Sequence, residues 1–157
     1  MRKLLSRGLM MFGVVSIPAQ LSPLPAQPAP TPEHHSDSRL TTLRHFFDRS
    51  ACPAAEYALA FLEVADEYAL DWRLLPSISY VETTGGKASP NNNLFGWDSG
   101  RARFANPEEA IRSVGSRLAH SALYRSKSLD EILVTFNPTG DYARKVKSVM
   151  QRIASVQ

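Results

Sequence analysis

Apolar residues recur at helical spacing along most of the chain beyond residue 50. Tyr57, Phe61, Val64, Ala65 and Tyr68 fall at intervals of three and four, which predicts an amphipathic helix opened by Pro53, whose fixed φ and missing N–H suit a first helical position. Asp71 is placed to cap a second helix with the stripe Leu74, Leu75, Ile78 and Val81. Pro76 is expected to interrupt or restart that helix, and Gly85 and Gly86 to stop it. Asn106 to Glu109 reads Asn-Pro-Glu-Glu: a cap, a proline at the first helical position and a glutamate three residues after the cap. That capping box predicts the helix carrying Ile111, Val114 and Leu118. Ser128 to Glu131 repeats the box ahead of Ile132, Leu133 and Phe136. Asn137 to Gly140 is a turn, after which Asp141 is expected to cap a last helix with the stripe Tyr142, Val146, Val149 and Ile153. Five or six helices around one long polar excursion, Thr83 to Ala105, predict a mostly α single domain over 51–157.

The residues before that domain have a different composition. A basic start (Arg2, Lys3, Arg7), an apolar run of about ten residues and a small-residue exit near Ala19 have the three parts of a secretory signal, assigned to 1–19. The run is too short to cross a bilayer as a helix, and an uncleaved inner-membrane tether is the alternative. Pro18 to Pro32 holds six of the chain's 11 prolines and no charge, a semi-rigid extended spacer. A transition, polar at first and apolar by Phe46 and Phe47, completes the linker region 20–50. The adjacent His34 and His35 do not share a helix face and are expected to be solvated linker residues rather than metal ligands.

Setting the signal aside changes the charge. The whole chain has 18 Lys+Arg against 15 Asp+Glu, and without Arg2, Lys3 and Arg7 the two signs are equal. A nucleic-acid partner, which needs a clustered basic patch, loses its support. One cysteine, Cys52, cannot form an internal disulfide, so the fold must rest on its core; the residue is expected to be partly buried just before a helix. No sustained apolar heptad points to self-association, and a monomer is expected.

The candidate chemistry lies in "SYVETTGGKASPNNNLFGW", Ser79 to Trp97. Leu75, Ile78, Ser79 and Glu82 share one helix side, so Glu82 sits at the border of the apolar stripe in the last turn. Partial burial and the partial negative charge of a helix C-terminus both favour its protonated form, the form a general acid needs. The run after it brings amides together with Phe95 and Trp97. Flat apolar faces beside amides suit sugar rings, which offer both C–H faces and hydroxyls.

"LDWRLLPSISYVETTGG", then "NNNLFGW", and later "FNPTGDYARKV" together resemble the glucosaminidase-type domains of the lysozyme-like superfamily, found in bacterial peptidoglycan hydrolases. The resemblance covers about Tyr57 to Ile153. It implies a lysozyme-like α+β fold, with a short polar loop or small β excursion as groove wall. It further implies export to the periplasm or cell exterior and cleavage of β-1,4 bonds in peptidoglycan glycan strands, with no cofactor and no metal. Carried over by position, Glu82 would be the general acid and Tyr142 would orient it or stabilise developing positive charge. Phe95, Gly96 and Trp97 would line the substrate groove, with Asn92 and Asn93 shaping its loop and Thr83 counted with them among the substrate-binding residues. Glycosidases commonly use two carboxylates, and Asp98 is the only other acid in the excursion. Three routes are therefore open: Asp98 as base or stabiliser, the substrate's acetamido group as internal nucleophile, or lytic transglycosylation by the sugar's own hydroxyl. The single-acid routes are preferred. A catalytically silent lysozyme-like module that binds glycan or an envelope partner is the competing class. A peptide-stem amidase would want zinc or a Cys-His pair, and Cys52, His45 and His120 supply no recognisable one.

Overall fold

Burial along the chain is deepest in one ten-residue helix, and the rest of the molecule is arranged around it. The structure, a computed structural model, describes residues 37–156; the signal-like start, the proline spacer and the His34–His35 pair lie outside them. Six α-helices are present among the described residues: α1 (Ser38–Arg49), α2 (Ala58–Glu67), α3 (Leu74–Thr83), α4 (Pro107–His120), α5 (Leu129–Phe136) and α6 (Tyr142–Ala154). No described residue is in a strand, so the fold is mostly α and the excursion is a polar loop rather than a small β element.

The largest departure from the sequence pattern is α1, which occupies what was expected to be linker. Asp37 caps it, accepting from the Arg39 N–H at 2.8 Å, and Leu40, Leu43, Phe46 and Phe47 are buried on one face. Phe47 stacks on Phe61 of α2 at 6.0 Å. The packed unit therefore begins at Ser38, not at residue 51, because this stripe has the 3–4 spacing of the later helices and the core needs its phenylalanines. Cys52 is buried directly after α1, as expected of a small core residue.

The second departure is at Pro53. The chain from Pro53 to Tyr57 winds as a 3₁₀ turn before α2 begins. The Ala54 N–H donates to the Gly85 carbonyl at 3.0 Å, tying this turn to the loop after α3 and holding it out of α-helical register. Pro76 neither breaks nor restarts α3. It lies in the first helical turn, where its N–H would have had no partner.

Leu74, Leu75, Pro76, Ser77, Ile78, Ser79 and Thr83 of α3 are all buried, which makes α3 the axis of the core. It packs most extensively on α6, while α2 lies against α4, and α1 touches both α2 and α6. Gly115 in α4 allows the close approach: a methyl group there would collide with Val64 and crowd Leu75 and Tyr68. The helix ends largely follow their sequence signals. Ser128 and Glu131 form the full capping box of α5, with the Glu131 carboxylate accepting from the Ser128 N–H at 2.8 Å. Asn106 caps α4 through the Glu109 N–H at 2.8 Å, but the Glu109 carboxylate reaches one residue further back, to the Ala105 N–H. Asp141 makes no side-chain cap; its carboxylate pairs instead with Arg144.

Candidate active site

Because α3 is buried on nearly every side, its last turn is where it opens to solvent, and Glu82 occupies that opening. The helix ends at Thr84 in left-handed conformation (φ 54°), and the chain turns into the excursion. Thr83 is the fastener. Its buried hydroxyl donates within reach of the Ser79 carbonyl (3.1 Å) and the Leu94 carbonyl (2.8 Å) and accepts from the Gly86 N–H (3.0 Å). One side chain thus joins the helix end to both the start and the middle of the loop.

The asparagines do the same for the loop itself. Asn93 is buried; its amide donates to the Trp97 carbonyl and its oxygen accepts from the Trp97 N–H, both at 2.9 Å. Asn92 donates to the carbonyls of Phe104 (2.9 Å) and Ala105 (3.1 Å), pinning the loop's return. Thr83, Asn92 and Asn93, expected as groove residues, thus have their polar atoms engaged with backbone, and they act by shaping the wall. Phe95 is buried against Phe61 with only its margin at the cleft.

Gly96 explains why the Leu-Phe-Gly-Trp run has a glycine. Its φ is +57°, and an added Cβ would stand 3.0 Å from the Glu82 Oε2. Only a residue without a side chain lets the loop backbone pass so close to the carboxyl.

The resulting cleft, about 600 Å³, is lined by Glu82, Gly96 and Trp97 on one side and by Tyr124, Phe136 and Asn137 on the other. Glu82 is half-buried. Burial pushes its carboxyl above the ordinary value, while the Tyr142 hydroxyl and the Asn137 amide act in the opposite sense, favouring the ionised form. Asn137 is oriented for this: its oxygen accepts from the Thr139 N–H (3.1 Å) and hydroxyl (2.6 Å), which leaves its amide N–H₂ for the carboxyl. Tyr142 is buried, its phenol held far above its ordinary range by burial and by the negative charge of Glu82, so it stays a donor. Its hydroxyl makes no hydrogen bond of closed geometry, so its influence on Glu82 is a near contact rather than a formed bond. The Tyr142 ring stacks on Phe136 at 5.9 Å, and Phe136 meets Trp97 edge-on at 5.4 Å.

Trp97 is not the free-standing platform that its exposed-loop context suggests. It is half-buried, with the Arg117 guanidinium 5.1 Å over its ring. Asp98 lies on the rim of the same cleft, but it is exposed and paired with Arg101 at 2.8 Å. The Arg101 guanidinium holds its carboxyl below the ordinary range. The cleft therefore contains one carboxyl kept toward protonation and one rim carboxylate kept ionised and engaged.

Sequence reasoning singled out Glu82, Tyr142 and the loop; Glu82 and the loop line one cleft, and Tyr142 is buried beside Glu82 without lining it. That reasoning missed Asn137, Phe136, Tyr124 and Arg117. Asn137 was visible only as a turn residue, Phe136 only as part of an apolar stripe, and Arg117 only as one charge on a helix surface. Tyr124 falls between the patterned segments. Compared with known proteins, the chain matches no protein-family model and no curated protein.

Proposed function

We propose that this protein is an exported peptidoglycan glycosidase of lysozyme-like type, cleaving β-1,4 bonds of the wall glycan with Glu82 as general acid. The observation that carries this assignment is the half-buried Glu82 carboxyl, raised above its ordinary proton affinity and facing a cleft walled by Trp97, Phe136 and the Gly96 backbone. A protonated Glu82 donates to the glycosidic oxygen as the C1–O bond breaks. The carboxylate left behind is then stabilised by the Tyr142 hydroxyl and the Asn137 amide, the two groups that already favour its ionised form. In the second half of the reaction that carboxylate takes a proton from the incoming nucleophile, either water or a hydroxyl of the sugar.

Asp98 is a poor second catalyst, since its exposure and its bond to Arg101 leave it a weak base. This favours a single-acid route, with the substrate's acetamido group or hydroxyl completing the displacement. The expected outcome is that Glu82→Gln abolishes turbidity loss of purified cell walls while Asp98→Asn keeps most of it. Equal loss in the two variants would overturn the single-acid route, and unchanged walls with the native chain would leave a glycan-binding module in its place. Mass spectrometry of the digest separates hydrolysis from transglycosylation, because hydrated and anhydro ends differ by one water.

A further inference from the structure

Trp97 and Arg117 border a second depression as well as the Glu82 cleft. It holds about 490 Å³, and Tyr68, Phe104, Arg112 and Ser113 contribute to its lining. The two depressions thus share one wall, formed by an indole and a guanidinium in contact.

Arg117 differs in one respect from the other charged groups nearby. Arg112 is paired with Glu67, Arg101 with Asp98, and the Glu109 carboxylate with the Ala105 N–H. Arg117 pairs with no carboxylate among the described residues; its guanidinium lies over the face of Trp97 and places its charge near Tyr124. Glu82 is balanced by Tyr142 and Asn137, not by Arg117. An arginine stacked on an aromatic face has lost part of its rotamer freedom while its N–H donors remain open. That is the arrangement suited to planar, two-point recognition of a carboxylate.

We propose that Arg117 is a specificity-determining residue that binds a carboxylate carried by the substrate's glycan strand, directing that substituent over Trp97 toward the second depression. This rests on the glycosidase assignment of the Glu82 cleft and deepens it by naming the group recognised. In peptidoglycan the carboxylate has two sources: the lactyl ether of stripped strands, or the peptide stems that the lactyl group carries. A neutral oligomer of N-acetylglucosamine has neither.

The test uses the purified full chain and three substrates: intact peptidoglycan, strands stripped of their stems, and neutral N-acetylglucosamine oligomers. The readout is the ratio of kcat/KM on each carboxylate-bearing substrate to that on the neutral one. Arg117→Met, which keeps the apolar stem over Trp97, is expected to lower that ratio about tenfold or more, and Arg117→Lys to retain most of it. A drop confined to intact peptidoglycan identifies the stem carboxylates as the source, a drop confined to stripped strands identifies the lactyl carboxylate, which the stem's amide bond masks in intact walls, and a drop on both shows that either carboxylate is accepted. A ratio unchanged by Arg117→Met, with cleavage still dependent on Glu82, overturns the carboxylate proposal and leaves the glycosidase assignment standing. Co-sedimentation of Glu82→Gln and Glu82→Gln/Arg117→Met with the insoluble walls decides the case in which no cleavage occurs. Retention that needs Arg117 would then support carboxylate recognition without catalysis, and equal retention or none would overturn it.

Discussion

Burial holds the Glu82 carboxyl toward protonation while Tyr142 and Asn137 pull it toward ionisation, so removing either donor moves the balance in one direction. Tyr142→Phe is expected to raise the Glu82 value further and to shift the alkaline limb of the pH–rate profile upward. The maximal rate should fall about 10–100-fold, because the donor that stabilises the conjugate base is gone. Stability should change by no more than about 1 kcal/mol, since the lost hydroxyl is buried without a closed hydrogen bond. A limb that stays in place would show that Tyr142 does not act on Glu82. Gly96 offers a geometric test of the same carboxyl. In Gly96→Ala the new methyl meets the Glu82 Oε2 at 3.0 Å on a backbone with φ +57°, so the loop or the acid must shift. Left-handed strain of about 1 kcal/mol and a loss of activity of tenfold or more are expected, measured by thermal melts alongside the wall-turbidity assay.

The helices with local punctuation were legible: Asn106-Pro107 and Ser128-Glu131 mark their starts because caps act within one turn of the chain. The α1 helix was not, although Leu40, Leu43, Phe46 and Phe47 have the spacing of a buried stripe. Charged residues flank that stripe and a long proline-rich stretch precedes it, so composition outweighed periodicity. Whether such a stripe is core depends on what lies opposite, and Phe61 and Ala54 become neighbours of α1 only once α2 folds back. Phe47 is fully buried, and its truncation to alanine should cost about 3–5 kcal/mol. Urea unfolding of Phe47→Ala measures this directly. A variant as stable as the native chain would return α1 to the status of a linker.

Assembly of the site is a property of the whole fold. Glu82 ends α3, Gly96 belongs to the excursion, and Asn137 and Tyr142 flank the turn between α5 and α6, so no local window of sequence contains the acid together with the groups that tune it. What could be read was that a lone glutamate stood at a helix end. What could not be read was that the loop and the α5–α6 turn would close over it, since that depends on α3 packing against α6. Keeping such a carboxyl half-buried has a global consequence whose sign follows from linkage. The folded state holds the Glu82 proton more tightly than the unfolded chain, so its favourable contribution is complete below the unfolded carboxyl value of about 4.3 and is lost as pH rises through the higher folded value. At neutral pH, where the carboxyl of the unfolded chain is ionised, keeping this group half-buried therefore costs stability that an amide of the same shape does not. Glu82→Gln is expected to unfold at a higher urea concentration than the native chain at pH 7, with the difference shrinking toward pH 4. A variant less stable than the native chain at pH 7 would mean that Tyr142 and Asn137 outweigh burial, and that Glu82 sits in the cleft as a carboxylate rather than as an acid.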